Sequence, residues 1–177
     1  MTDKFTTIEI EERVARYFNP RQCLIVPNIS WGMNIHECDL LIVRKSGYGI
    51  EVEIKISRAD LKKDGEKSHQ HRDDRIRELY FAIPEYLQDS ISLIPPHAGV
   101  IVVTRVYDYG DHVYCKTIRP AEVNKKSVKF SQEEMFNIAR LGTMRIWSLK
   151  KKIIEIKRKK IQHRIKTHKE QLNLSIF

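Results

Sequence analysis

Two strand-like runs bring acids and one lysine to a single spot: Glu37-Cys38-Asp39-Leu40-Leu41-Ile42-Val43 and Gly49-Ile50-Glu51-Val52-Glu53-Ile54-Lys55-Ile56. Successive side chains of a strand alternate faces, so Glu51, Glu53 and Lys55 share one face while Ile50, Val52, Ile54 and Ile56 fill the other. The same alternation puts Glu37 and Asp39 together. The intervening Arg44-Lys45-Ser46-Gly47-Tyr48 carries a glycine turn signal, which predicts an antiparallel hairpin with Asp39 on the Glu53 side. Carboxylates crowded in this way repel unless one keeps a proton or a cation neutralises them. Oxygen donors of this kind suit Mg²⁺ or Mn²⁺, which keep several waters and take one or two carboxylates together with phosphate oxygens. A lysine on the same face would steady the charge that builds on a phosphodiester under attack. The plainer reading is a strand with one charged, solvated face, and for an isolated Glu-x-Lys that is the better reading.

The elements around these runs follow from capping and periodicity. Thr6 or Thr7 caps a first helix, with Glu9 placed for a capping box on Thr6, and Ile10, Val14, Tyr17 and Phe18 form its apolar face before Asn19-Pro20 stops it. A strand is expected over 23–29, then the two hairpin strands over 37–44 and 48–56. A polar helix is predicted from Ser57 to about Arg75, interrupted in its middle by Gly65. Strands follow at 79–83, stopped by Pro84, and at 98–106, an apolar run of the kind buried on both faces. An edge strand is expected at 112–118. Ser131 with Glu134 caps a further helix to about Leu141, where Gly142 ends or bends it. Beyond it Ile146, Leu149, Ile153, Ile156, Ile161, Ile165 and Leu172 keep a 3.6-residue period. That stretch would span about 40 Å as a straight helix. Lys160 and His163 stand where a coiled-coil seam needs apolar groups, which argues against a sustained coiled coil.

The 177 residues, 41% of them apolar, suffice for one domain and an appendage, here 1–120 and a helical extension over 121–177. Three scattered cysteines point to a reducing compartment without disulfides. The start lacks an apolar segment, and the longest uncharged run, Ser90 to Thr104, is broken by Pro95-Pro96 and too short for a bilayer. A soluble cytoplasmic protein without membrane contact is expected. The net charge of +9 is uneven: from Lys150 to Glu170 ten Lys or Arg face two Glu, giving +8 and leaving +1 for the rest. A concentrated basic stripe is the footprint of a polyanion, most often nucleic acid. Its bland alternative is an amphipathic helix whose charges keep the protein soluble.

Taken together, the helix, the hairpin-bearing sheet, Asp39 and Glu53-Ile54-Lys55 resemble the PD-(D/E)xK nuclease superfamily over about residues 6–106. The stretch from Glu51 to Asp60, with Asp64, Lys67, Leu79-Tyr80-Phe81-Ala82-Ile83-Pro84, Pro96 and Gly99, is similar more narrowly to the MmcB-type DNA repair proteins. Cys38 stands where the superfamily has its motif proline. The resemblance implies an α/β, restriction-endonuclease-like core of helix, three strands, helix and two strands, with a C-terminal helical extension. It implies a metal-dependent DNA nuclease of repair or recombination, in which Asp39, Glu53 and the carbonyl of Ile54 hold Mg²⁺ or Mn²⁺. Lys55 orients water or stabilises the transition state. Glu51 adds a second metal ligand or tunes Lys55. Relatives also use a first-helix glutamate, and Glu11 is the choice because it borders the apolar face, whereas Glu9 serves the cap and Glu12 points away.

Relatives place a phosphate-contacting residue on the second helix, where Lys67, His69, His71 and Arg72 stand; Lys67 and His71 are four apart and so share a face. The basic helix offers Lys150, Lys151, Lys152, Lys157, Arg158, Lys159, Lys160 and Arg164 to DNA phosphates. DNA is therefore the expected partner, together with other repair or recombination proteins, and the oligomeric state is left open. Zinc at His36 and Cys38 lacks two further ligands at sensible spacing. The competing function is a catalytically inactive DNA-binding or adaptor module that uses the basic helix. A weaker third reading is a protein-interaction subunit that assembles through that helix, its charge incidental.

Overall fold

The structure is a computed structural model describing residues 4–29, 35–64, 73–106 and 112–174, except the side chains of Asp64 and 166–174. Its elements, in chain order, are α1 (Thr7–Tyr17), β1 (Cys23–Ile29), β2 (Cys38–Arg44), β3 (Gly49–Ile54), α2 (Arg58–Asp64), β4 (Ile76–Pro84), a 3₁₀ helix (Glu85–Leu93), β5 (Gly99–Val106), β6 (His112–Arg119) and α3 (Gln132–Leu174). The six strands form one sheet in sequence order. The pairs β1/β2, β2/β3 and β5/β6 are antiparallel, and β3/β4 and β4/β5 are parallel. This is a mixed α/β fold with a C-terminal helix. Among the described residues no helix is long and apolar enough to cross a membrane.

The hairpin strands form as their alternation dictates, and Gly47 turns between them with φ of 88°, a left-handed conformation that favours glycine. One face of the sheet buries Ile50, Val52 and Ile54 with Leu40, Ile42, Ala82, Ile101 and Val103 beneath Phe5, Ile10 and Val14 of the N-terminal segment and α1. The other face packs Leu79, Phe81, Ile83, Val100 and Val102 against Leu61 of α2 and Leu87 of the 3₁₀ helix. The Thr6/Glu9 capping box opens α1. Ser57 caps α2, its hydroxyl accepting from the Asp60 N–H at 3.2 Å and donating to the Asp60 carboxylate at 2.7 Å.

Several elements depart from expectation. The second helix does not reach Arg75: it is helical over Arg58–Asp64, residues 65–72 lie outside the described residues, and the chain turns at 74–75 into β4. Three residues earlier than expected, Ile76 starts that strand because it pairs with Gly49 on β3. The 3₁₀ helix after Pro84 was not foreseen, its residues having no sustained period. Gly142 does not end a helix, since α3 continues through it. A glycine costs about 1 kcal/mol inside a helix, and the alternating apolar and basic helix formers around it carry the helix across.

The chain divides into two compact units, 1–139 and 140–177. The first extends past the boundary expected at 120 because residues 121–131 are tied to the sheet. Asn124 N–H donates to Arg77 O at 2.9 Å, Val128 N–H to Asp74 O at 2.7 Å and Phe130 N–H to Gly47 O at 2.9 Å. Phe130 is buried over Gly49, where an added Cβ would come within 2.7 Å of its ring. Ser131 then caps α3: its N–H donates to the Glu134 carboxylate at 2.7 Å, and its hydroxyl accepts from the Glu134 N–H at 3.2 Å.

Ser131→Ala is expected to cost about 1 kcal/mol, read as a lower urea midpoint. The Ser131 N–H, then its hydroxyl and Arg75, hold the Glu134 carboxyl below its ordinary 4.5. A group whose folded pKa is depressed stabilises the fold above its unfolded value and loses that contribution as pH falls through the folded one. The penalty of the substitution should therefore shrink when the same titration is run below pH 4.

Candidate active site

The β2/β3 register pairs Leu40 with Val52 and Leu41 with Glu51. Continued by one residue, it sets Asp39 opposite Glu53. Asp39 is half-buried at the start of β2, and its Oδ2 accepts from the Ile54 N–H at 2.8 Å. Glu53 is buried, and Lys55, itself 8% exposed, donates its ammonium N–H to Glu53 Oε2 at 2.6 Å. The backbone N–H of Lys55 donates to Ala82 O on β4 at 3.1 Å, which anchors the end of β3 in the middle of the sheet. Burial pushes the Glu53 carboxyl above the ordinary carboxylate range; Lys55 draws it back, and the Asp39 charge adds to the rise. Asp39, Ile54 and Lys55 line an open cleft of about 370 Å³ together with Thr7, Ile56, Asp60 and Lys63.

Glu51 is fully buried on the same face, yet it is turned to another partner. Its Oε2 lies 2.8 Å from His36 Nε2, and His36 Nδ1 lies 3.7 Å from Asp73 Oδ2. The imidazole thus lies between two carboxylates. Cys38 reports the same field, its thiol pushed up by burial and then by Glu51, Glu53, Asp39 and Asp73.

Glu11 stands on α1, which packs on the opposite face. Burial raises its carboxyl pKa and the Asp39 charge raises it further. The other first-helix glutamates are engaged elsewhere: Glu9 in the Thr6 cap and with Arg105, Glu12 with Arg16. Lys67, His69, His71 and Arg72 lie outside the described residues. The exposed basic residues between Lys150 and Arg164 belong to the second unit.

Among the described residues no set of three or more His, Cys, Asp or Glu side chains is arranged to hold a metal ion. Asp39 and Glu53 supply two carboxylates from adjacent strands, and the Ile54 carbonyl lies between Glu53 and Lys55 in the chain. That donor set fits Mg²⁺ or Mn²⁺, which complete their shells with water and phosphate oxygens, better than zinc, whose protein cages use three or four N or S ligands.

The cleft residue Lys63 and the carboxylate partner His36 were not given these places by the sequence. Lys63 shares a helical face with Asp60 three residues before it, and the Ser57-x-x-Asp60 capping box carried enough signal to fix that face. No such signal existed for His36, whose partners are 15 residues away on β3 and at the foot of β4.

No family model matches the chain, and no curated protein matches it significantly. A solved structure described as the SPO1766 protein of unknown function from Silicibacter pomeroyi is similar to it, with a TM-score of 0.55 and 14% identity. The similarity covers 82% of this chain and 90% of that one. At that identity the likeness speaks for the fold, and the chemistry rests on the residues above.

Proposed function

We propose that this chain is a divalent-metal-dependent DNA nuclease that hydrolyses phosphodiester bonds in repair or recombination. The observation that carries the reading is the convergence of Asp39 and Glu53 from paired strands beside Lys55, at a cleft open to solvent. The sequence resemblance to the PD-(D/E)xK superfamily, carried by the same residues, supports it. When bound, Mg²⁺ or Mn²⁺ supplies Lewis acidity toward a phosphodiester oxygen and lowers the pKa of water. Asp39, Glu53 and the Ile54 carbonyl are the groups that would hold it. Lys55 donates to the phosphoryl oxygens as their negative charge grows, and Glu11, whose carboxyl pKa is raised by burial and by the Asp39 charge, would act as a base on water. Lys63 on α2 and the basic residues of α3 engage neighbouring phosphates.

The deciding experiment incubates labelled duplex, nicked, flapped, forked and single-stranded DNA with the protein in Mg²⁺ or Mn²⁺. Cutting of at least one substrate, abolished by EDTA, is the expected result. Lys63→Ala should raise KM for the cleaved DNA with little change in kcat and reduce the salt slope of binding by about one. A second reading, a catalytically inactive DNA-binding module, is favoured by the 2.6 Å Lys55–Glu53 pair, which neutralises Glu53 without any metal. Salt-sensitive binding without cutting at any metal concentration would select it.

A further inference from the structure

The second unit, 140–177, is helical through Leu174, and its side chains pose a question that nucleic-acid binding does not answer. Ile146, Trp147, Leu149, Ile153, Ile154, Ile156, Ile161 and Ile165 are all at least half exposed. Phosphates reward cations and do nothing for isoleucine. Eight large apolar side chains on one helix mark an interaction surface.

Helical spacing sorts them into two seams. Ile146, Leu149, Ile153 and Ile156 recur at alternating steps of three and four; Trp147, Ile154, Ile161 and Ile165 recur at steps of seven, seven and four. Between the seams runs a row of cations, Lys150, Lys157 and Arg164, each seven residues from the next, about 10.5 Å along the axis. The first seam ends at Ile156, since Lys160 and His163 occupy its next positions. The second continues to Ile165. Lys151, Glu155 and Arg158 flank the outer side of the second seam, and Lys152 and Lys159 stand on the opposite face. Trp147 and Ile154 border a groove with Lys150 on one side and Lys151, Glu155 and Arg158 on the other, and the Lys150 ammonium sits 4.7 Å from the centre of the Trp147 ring.

The cation row decides what can cover this face. A second copy, parallel or antiparallel, would press two such rows together inside an apolar contact, and unpaired buried charges cost several kcal/mol each. A lipid surface would draw cations under its headgroups from the middle of the apolar arc, where interfacial helices carry none. We propose that this face binds an acidic amphipathic helix of another protein, one that presents carboxylates at seven-residue spacing between apolar residues. The apolar seams supply affinity, and the charge row fixes register and partner. Lys152 and Lys159 remain available to phosphates on the far side. The proposal does not depend on the chemistry of the cleft.

The test uses the full chain with Trp31→Phe, which leaves Trp147 as the single tryptophan. The probe is a synthetic helix with leucine seams and a glutamate every seventh residue between them, and its control carries glutamine in those places. The glutamate helix should shift Trp147 emission to shorter wavelength and bind roughly tenfold or more tightly than the control. Lys157→Glu should lose about that factor for the glutamate helix and regain it with a helix bearing lysine instead. Equal affinity for the two peptides, no shift with either, a dimer of the chain alone held through Trp147 and Ile154, or a shift caused only by phosphatidylserine vesicles or duplex DNA would each overturn the proposal. Lys55→Ala should bind the glutamate helix as the parent chain does, which keeps this result separate from the nuclease assay.

Discussion

Asp39→Asn and Lys55→Ala should each lower DNA cleavage by roughly a hundred- to a thousandfold, by different routes. Asparagine retains an oxygen acceptor for the Ile54 N–H, so the hairpin end stays closed while a metal-binding charge is lost. Mn²⁺ binding followed by electron paramagnetic resonance should weaken in this variant along with cutting. Lys55→Ala removes the ammonium beside Glu53 and leaves both carboxylates, so Mn²⁺ should bind at least as tightly while kcat falls. Cutting that survives both substitutions comes from a contaminant. Loss of cutting with unchanged Mn²⁺ binding in Asp39→Asn would remove Asp39 from the ligand set.

The second large effect is on stability. The Lys55 and Glu53 side chains are 10% and 3% exposed, so Lys55→Met strands a buried carboxylate and should cost about 3–5 kcal/mol in EDTA. Lys55→Met with Glu53→Gln removes both charges and should recover most of that loss. The pH dependence separates this cause from simple repacking. The folded-state pKa of Glu53 is raised above the ordinary 4.5, chiefly by burial. The fold then binds a proton more tightly than the unfolded chain does, so stability rises as pH falls from that raised value toward 4.5. Without Lys55 the rise should be larger, and urea titrations at successive pH values read it directly. A flat difference between Lys55→Met and the parent across that range would mean that packing, not charge, sets the cost.

The hairpin was legible because its information is local. Alternation marked both strands, the glycine turn fixed their separation, and a one-residue slip would have sent Ile50, Val52 and Ile54 to the wrong face. The helix caps at Thr6 and Ser131 were equally readable, since a cap needs only a residue and its partner three places on. What failed was non-local. His36 gains its position from Glu51 and Asp73, on elements that meet only in the folded sheet. The start of β4 at Ile76 is set by parallel pairing with Gly49, which no nearby residue announces. Gly142 misled because a breaker signal was weighed without the long stretch of helix-compatible residues after it. The tie of residues 121–131 to the sheet depends on backbone bonds that composition does not encode.

The sheet runs in sequence order, and the residues proposed to hold the metal all sit within positions 39 to 54. A ribosome would therefore deliver both carboxylates and their shared turn before any of β4 had been made. Their burial waits on the parallel partner that arrives some twenty residues later, because Ala82 closes onto the backbone of Lys55. Assembly of the ligands and their removal from water are thus separate events in the life of the nascent chain, and a dication could engage the first before the second has raised the cost of keeping two acids together.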